Sequence, residues 1–207
     1  MKKAVAMGCS ETEERQLYEM KYSSPVGILT LISDRESMLS LKFERERYPF
    51  IIPEDCQLTV LPAYSQGEEG SSPLCQDRAA SEQLAKQIPK PLCEAVSWLD
   101  CYFSGQKPDF LPPVRLEGSQ FRLRVWEELL KIPYGATVTY GSIARQLAGE
   151  QGRSHMSAQA VGGAVGHNPI GIIIPCHRVV GADGSLTGFG GGLEVKRALL
   201  ELEKKAE

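Results

Sequence analysis

The side chains of this chain with the most chemical capacity lie together in the run Pro175-Cys-His-Arg178. A free thiol has a pKa of about 8.5 and is a poor nucleophile at neutral pH until its surroundings favour the thiolate. The imidazole of His177 can accept the thiol proton, and an acid such as Glu203 can orient that imidazole. Since a single cysteine is also a common core residue, these residue types alone leave a nucleophile and a structural Cys176 equally open.

The elements around this run must position its side chains. The apolar residues from Ile170 to Ile174 predict a strand that leads into Cys176. Neighbouring side chains of an extended segment point to opposite sides, so we expect a water to carry the proton between Cys176 and His177. A last helix, predicted from Leu193 to about Glu203, would bring the acid to the site.

Three helices are predicted before the cysteine run. Apolar spacing indicates helices over Phe121–Leu130 and Ile143–Leu147, the second capped by Ser142, and a third over Ser157–Gly166. A short strand is predicted at Thr137–Thr139 between the first two. This order is typical of DNA-reading helix-turn-helix domains, although many small helical domains share it.

The third predicted helix carries almost no side-chain bulk. Glycine in a helix interior costs about 1 kcal/mol relative to alanine, so its two adjacent glycines need an explanation. Close packing against another helix and close approach to a nucleic-acid groove both remain open. The small residues are Ser157, Ala158, Ala160, Gly162, Gly163 and Ala164.

The N-terminal half has a different pattern. Short strands are predicted over Leu17–Phe43, followed by a long connection over residues 44–88 and by a helix that Gly105 ends. The prolines after Gly105 mark a domain boundary. We therefore predict an α/β (α+β) protein: a small sheet domain with a helix over residues 1–105, and a winged-helix-like helix-turn-helix domain over residues 106–207.

Composition narrows the functional classes. The net charge is −3, but residues 106–207 have 12 Lys and Arg against 10 Asp and Glu, whereas residues 1–105 have 11 against 16. Any nucleic-acid surface is therefore expected in the C-terminal half. The six cysteines and three histidines show no metal-site spacing, and no apolar run is long enough to span a membrane. We predict a soluble cytoplasmic protein without a metal.

The cysteine run and its flanks resemble the active-site signature of the O6-alkylguanine-DNA alkyltransferases, the methylated-DNA–protein-cysteine methyltransferases. The resemblance extends from Phe121 to Glu203, and more weakly to the N-terminal half. The matching segments are Ile172-Ile-Ile-Pro-Cys-His-Arg-Val-Val180, Val138-Thr-Tyr140, Ala160-Val-Gly-Gly-Ala164, Asn168-Pro169, Gly191-Gly-Leu193 and Tyr22-Ser-Ser-Pro-Val-Gly27.

This resemblance implies a direct repair reaction. Cys176 would accept the alkyl group from O6 of guanine, with O4 of thymine as a second candidate, and the resulting thioether would make the protein a single-use reagent without a cofactor. His177 would act as the base through a water, oriented by Glu203. Tyr140 would help to neutralise the leaving guanine, and Asn168 would tie the third helix to the active-site turn.

The resemblance also implies a DNA surface. The small-residue helix would enter the minor groove while the damaged base leaves the stack. Many relatives have an arginine where this chain has Gln159, so we predict weaker DNA affinity or an altered opening balance. Arg178 is a candidate DNA or base contact, or a brace against an acid. The remaining candidate DNA and base contacts are Ser157, Ala158, Gln159, Ala160, Gly163, Val179, Gly190 and Phe189, the last replacing a tyrosine of some relatives.

The predicted partner is double-stranded DNA with alkylated bases, bound by a monomer and away from membranes. Three alternatives stay open: a lesion-binding relative that transfers nothing, a winged-helix regulator with a structural Cys176, and a cysteine hydrolase or acyltransferase. The presence of Cys176 disfavours the first alternative, and turnover would distinguish the last.

Overall fold

The structure is a computed structural model that describes residues 15–44, 46, 48–65 and 88–205. Most of the first fifteen residues and part of the connection predicted over 44–88 lie outside the described residues, as do Cys9 and Cys75. No helix within the described ranges is both long and apolar enough to cross a bilayer.

The N-terminal half is built on a small mixed sheet. Strands β1 (Arg15–Ser24), β2 (Gly27–Ser33) and β3 (Met38–Phe43) form an antiparallel meander, as the sequence predicts. The turn between the first two strands pairs Ser24 with Gly27, whose φ of 108° lies in the region that favours glycine. All six residues of β3 are buried, so this strand lies inside the protein.

The predicted connection over 44–88 contains regular structure. Strands β4 (Cys56–Val60) and β5 (Tyr64–Ser65) both pair in parallel with β1. The described part of this stretch is therefore not an uninterrupted loop, and it completes a sheet of order β3-β2-β1-β4. The sequence did not predict β4, because three of its five residues are exposed and the segment around it is polar and rich in proline.

Five α-helices surround the site within the described ranges. Helix α1 (Lys90–Phe103) packs on the sheet, and α2 (Gln120–Leu130), α3 (Tyr140–Glu150) and α4 (Ala158–Gly166) form the predicted helical group. Helix α5 (Leu193–Lys204) closes the chain. The mixed α/β fold predicted from the sequence is confirmed.

The start of α3 differs from the prediction. Thr139, and not Ser142, is the N-cap, because the Thr139 hydroxyl accepts from the Ser142 backbone while Ser142 bonds back to Thr139. This reciprocal capping box begins the helix at Tyr140. The predicted short strand before it is present as β6 (Val138–Thr139).

The segment before Cys176 is not the predicted strand. Ile170 forms an isolated bridge to Leu41, residues 171–173 form a turn with Ile172 at a φ of 65°, and Cys176–Arg178 form one turn of 3₁₀ helix. The apolar run reflects complete burial of a turn rather than β structure. After the turn, β7 (Val179–Val180) pairs in parallel with β6.

The two halves share one continuous core. The edge of β3 bonds to the C-terminal half at two places: Met38 pairs with Val114, and Leu41 pairs with Ile170 just before the active-site turn. Buried side chains from both halves form a single hydrophobic cluster. The boundary near residue 105 remains a prediction, and the N-terminal sheet directly supports the turn that carries Cys176.

Candidate active site

Cys176 lies at the bottom of a narrow pocket between the two halves. Because a 3₁₀ helix has three residues per turn, Cys176, His177 and Arg178 point in directions about 120° apart. The free volume of the pocket is about 20 Å³, room for about one water molecule. Its lining residues are Phe43, Glu46, Val165, Gly166, Asn168, Gly171, Cys176, Gly188, Phe189 and Gly190.

The resting state of Cys176 is a neutral thiol. Burial raises the pKa of the Cys176 thiol above its ordinary value, although a hydrogen bond with Asn168 acts in the opposite direction. Asn168 is itself held in place, since its Nδ2 donates to the Ile174 carbonyl over 2.8 Å and its Oδ1 accepts from the Ile170 backbone. The side chain of Asn168 thus ties the end of α4 to the turn that carries the sulfur.

The orientation of His177 leaves one ring nitrogen available. Its Nε2 lies 2.7 Å from Oε1 of Glu203, whereas the buried Nδ1 has no hydrogen-bond partner among the described residues. Burial lowers the pKa of His177, so the imidazole is neutral at neutral pH. A neutral ring that donates from Nε2 has its lone pair on Nδ1, which is the form that accepts a proton.

Glu203 is a fully buried carboxylate saturated with donors. Oε2 accepts from Arg178 Nε and the Gly135 backbone, each at 2.9 Å, while Oε1 accepts from His177, from Arg178 Nη2 at 3.0 Å and from the Tyr102 hydroxyl at 2.8 Å. Burial alone would raise the pKa of Glu203, but its bonds to His177 and Arg178 lower that pKa to about 2. Because guanidinium is permanently charged, Arg178 keeps Glu203 ionised while His177 is neutral.

Two further side chains lie beside the thiol. Tyr140 is half-buried, and burial raises the pKa of its phenol, which a thiolate at Cys176 would raise further. It therefore remains a proton donor at neutral pH. Lys196 is fully buried, and its Nζ donates to the carbonyls of Val179 at 2.6 Å and Thr187 at 2.9 Å. Its ammonium charge favours the thiolate form of Cys176.

The N-terminal half covers the mouth of the pocket. Lys42 Nζ donates to Glu46 Oε1 at 2.6 Å and to the Asn168 carbonyl at 2.8 Å. Glu46 lies against Gly190, where an added Cβ would come within 2.7 Å of its side chain, and the Phe43 ring crowds Gly191 in the same way. This close approach requires glycine at both positions in the present arrangement.

The outer face of α4 is exposed and nearly flat. Ser157 caps the helix, and an added Cβ at Gly163 would meet open space. Packing within the chain therefore does not explain that glycine, which favours approach of an external partner. Opposite this face, Trp126 Nε1 donates to the Ala164 carbonyl at 2.9 Å and fixes α4 on α2. The predicted contact residues on the exposed face are Ser157, Ala158, Gln159, Ala160 and Gly163.

The other sequence candidates divide into two groups. Phe189 and Gly190 line the pocket, and the Phe189 ring lies 5.4 Å from that of Phe43. Val179 and Arg178 are turned inward: the Val179 carbonyl is bonded to Lys196, and Arg178 reaches Glu203 and the Ile132 carbonyl. The interior position of Arg178 corresponds to the predicted brace and not to a DNA or base contact.

Three contributors were not predicted from the sequence. Tyr102, Lys196 and the Lys42–Glu46 pair lie in the site, but each is distant in sequence from the signature run or is an unremarkable charged residue. A helical apolar stripe was visible around Tyr102, but nothing in that pattern distinguishes a core tyrosine from one that bonds to an acid 101 residues away.

The chain is similar in sequence to a known family of DNA methyltransferases. The family model of the 6-O-methylguanine DNA methyltransferase DNA-binding domain matches residues 120–205. A methylated-DNA–protein-cysteine methyltransferase of Haemophilus influenzae is 38% identical over 190 residues, which cover 91% of this chain and 87% of that protein. The protein of the same name from Mycobacterium tuberculosis is 56% identical over 110 residues, which span 53% of this chain and 64% of that relative.

A solved structure shows the same fold. The crystal structure of Mycobacterium tuberculosis OGT in complex with DNA superposes with a TM-score of 0.68 at 37% identity, covering 91% of this chain and 94% of that one. Together with the Haemophilus relative, this match defines the class. The chain belongs to the methylated-DNA–protein-cysteine methyltransferase family.

Proposed function

We propose that this protein repairs DNA by moving an alkyl group from O6 of guanine to Sγ of Cys176, once per molecule. The observation that carries the proposal is the neutral Cys176–His177 arrangement: a buried thiol in a pocket, beside an imidazole whose Nε2 is held by Glu203 and whose Nδ1 is unbonded among the described residues. Family membership supports the same reaction.

In the proposed step the sulfur of Cys176 loses a proton and gains the alkyl carbon. The thiol proton passes through a water to Nδ1 of His177, and the sulfur attacks the alkyl carbon. The S–C bond forms as the C–O6 bond breaks, and the electron pair of that bond stays on guanine. Tyr140 donates a hydrogen bond to the leaving purine and keeps its proton, the His177 imidazolium releases its proton to solvent, and guanine takes one proton from solvent. The net change exchanges the thiol hydrogen for the alkyl group.

The environment of Cys176 suits a reaction that starts from neutral partners. Burial disfavours a standing thiolate, and it also keeps His177 unprotonated and able to accept. The Glu203 carboxylate then stabilises the imidazolium as it forms, and the Lys196 ammonium stabilises the developing charge on sulfur. A thioether has no easy hydrolytic exit, so each molecule would act once.

The decisive measurement is the intact mass of the protein after incubation with a duplex that contains O6-methylguanine. We expect a gain of one CH₂ located on Cys176, with lesions removed in no more than a one-to-one ratio. Cys176→Ser should gain nothing, whereas Cys93→Ser, a substitution of a half-buried cysteine on α1, should react like the unaltered protein. Lesion binding without a mass change would favour the non-transferring alternative, and multiple turnovers would favour a hydrolase.

We further propose that α4 enters the minor groove and that Gln159 takes the position an arginine has in many relatives. Gln159 lies on the exposed face and brings hydrogen-bonding capacity without charge. Gln159→Arg should bind duplex DNA several-fold more tightly at low salt, with the salt slope steeper by about 0.9. Gln106→Arg adds the same charge on an exposed site away from α4, and equal effects of the two substitutions would remove α4 from the interface.

A further inference from the structure

Tyr102 connects the N-terminal half to the proton-accepting side of the site. It belongs to α1, is fully buried, and donates from its hydroxyl to Oε1 of Glu203 over 2.8 Å. The same oxygen lies 3.3 Å from Nε2 of His177. One phenol from the N-terminal half therefore touches both members of the acid–imidazole pair.

The ring of Tyr102 is held on several sides. Trp98 stacks on it with ring centroids 5.2 Å apart and planes 10° apart, while the rings of Phe103 and Tyr134 meet it edge to face at 5.3 and 5.9 Å. A ring confined in this way has little freedom to move its hydroxyl away from Glu203.

The direction of the hydrogen bonds follows from the protonation state of the phenol. Burial, followed by the Glu203 charge, raises the pKa of Tyr102, so the hydroxyl stays protonated and donates to the carboxylate. Its oxygen lone pairs are then the groups presented to Nε2 of His177. With two acceptors facing it, Nε2 carries the hydrogen, and the lone pair of the neutral ring lies on Nδ1.

We propose that Tyr102 is a positioning residue for alkyl transfer, which holds Glu203 and the Nε2–H form of His177 so that Nδ1 accepts the thiol proton. The inference rests on the proposed function. It gives the N-terminal half a direct part in the reaction, since the relay is assembled from α1, the active-site turn and α5.

The chain offers a matched control for this hydroxyl. Tyr22 is also fully buried, and its hydroxyl also donates to a carboxylate, Oδ1 of Asp100 at 2.8 Å, in the same core. Tyr22→Phe and Tyr102→Phe therefore each remove one hydroxyl that donates to a carboxylate, although Asp100 is only half-buried, and of the two only Tyr102 contacts the relay. The assay is single-turnover transfer from an O6-methylguanine duplex at saturating protein, with DNA affinity and the thermal unfolding midpoint measured in parallel.

We expect the two variants to lose similar stability and to bind the duplex alike. Transfer should slow about tenfold in Tyr102→Phe, the effect of losing one hydrogen bond to a charged group, and should be unchanged in Tyr22→Phe. The pH profile gives a second readout. Without the hydroxyl the Glu203 charge acts more strongly on His177 and raises the pKa of that ring, so the acid limb of the rate profile should move to higher pH only in Tyr102→Phe.

Equal rates and superimposed pH profiles for the two variants would overturn the proposal. If Tyr102→Phe fails to fold, ¹⁵N NMR of the unaltered protein decides: a neutral His177 ring that carries its hydrogen on Nδ1 would contradict the assigned role, and one that carries it on Nε2 would support it. Failure of the unaltered protein and of Tyr22→Phe to transfer the alkyl group would instead remove the proposed function, so the two failures are distinguishable.

Discussion

The active-site turn Cys176–Arg178 has an inner side, which faces Glu203, and an outer side, which faces the pocket. The two sides differ in how completely their polar groups are bonded. On the inner side, Glu203 accepts five hydrogen bonds, and the surrounding groups are buried and fixed. On the outer side, Cys176 faces a small pocket whose mouth is formed by Phe43, Glu46 and the glycines near residue 190. The three-residue turn supplies both sides, since His177 and Arg178 bond to Glu203 while Cys176 faces the pocket.

Because the two sides differ, each can meet a different requirement of a reaction at a nucleophilic cysteine. A proton acceptor works best when its orientation and charge are preorganised, which the saturated inner side provides. The nucleophile must meet a large incoming group, which a saturated environment would exclude. A pocket with room for about one water must open before a purine can enter, and Glu46 and Phe43, which pack closely on Gly190 and Gly191, would have to move for it to open.

The largest effect should come from removing the charge that balances Glu203. Arg178→Met leaves a buried carboxylate without its permanent counter-ion, and we expect a loss of about 3–5 kcal/mol in the free energy of unfolding. Urea denaturation at neutral pH measures it. Arg197→Met breaks an exposed ion pair to Glu194 on α5 and should cost less than about 1 kcal/mol. Similar losses in the two variants would mean that the inner side is not specially dependent on its charges.

Acidification should lower the free energy of unfolding almost as much as Arg178→Met does. Glu203 has a folded pKa of about 2 against an ordinary value of 4.5, so the unfolded state binds the proton more tightly. Its stabilisation, up to about 3 kcal/mol, is therefore complete above the ordinary pKa and is lost as the pH falls toward 2. Unfolding midpoints of the unaltered protein and Glu203→Gln should differ most at pH 7 and much less at pH 3. A difference that is independent of pH would contradict the ionised carboxylate.

The sequence predicted which residues form the site better than it predicted the path of the backbone around them. The residue types left a nucleophile and a structural Cys176 open, and the family resemblance implied a nucleophile, a base and an orienting acid at Cys176, His177 and Glu203. The structure brings these side chains into one region. The predicted path of the backbone was wrong, because an apolar run such as residues 170–174 has the same composition in a buried strand and in a buried turn. The bonds of Asn168 to Ile170 and Ile174 and the pairing of Leu41 with Ile170 fix the turn, and the second of these contacts joins residues from opposite halves of the chain.

The inner side and the pocket mouth were each predicted in part. Arg178 follows Cys176 closely in sequence, so a brace against an acid could be foreseen. Tyr102 and Glu46 come from the other half of the chain, where their patterns indicate an ordinary core helix and a polar loop. Side chains that act across a tertiary contact leave no periodic signal, because their spacing in sequence is set by topology and not by a helix or a strand.

The smallest effect expected here tests the outer side. Glu46 lies close enough for its charge to raise the pKa of the Cys176 thiol, so Glu46→Gln should lower that pKa. At neutral pH we expect Cys176 to react about threefold faster with iodoacetamide, because a larger fraction of the thiol is ionised once the Glu46 charge is removed. Peptide mass spectrometry resolves Cys176 from the other cysteines. Glu44→Gln, at an exposed position outside the pocket lining, is the control.

The sign of this effect distinguishes the two sides of the turn. Burial raises the pKa of Glu46, while Lys42 favours its ionised form, and the glutamine keeps an oxygen for the Lys42 bond. A faster reaction would therefore report the lost charge. If Glu46→Gln instead reacted more slowly than Glu44→Gln, the carboxylate would be assisting removal of the thiol proton. The outer side would then supply a second proton acceptor. The interpretation that only the inner side accepts the thiol proton would be wrong.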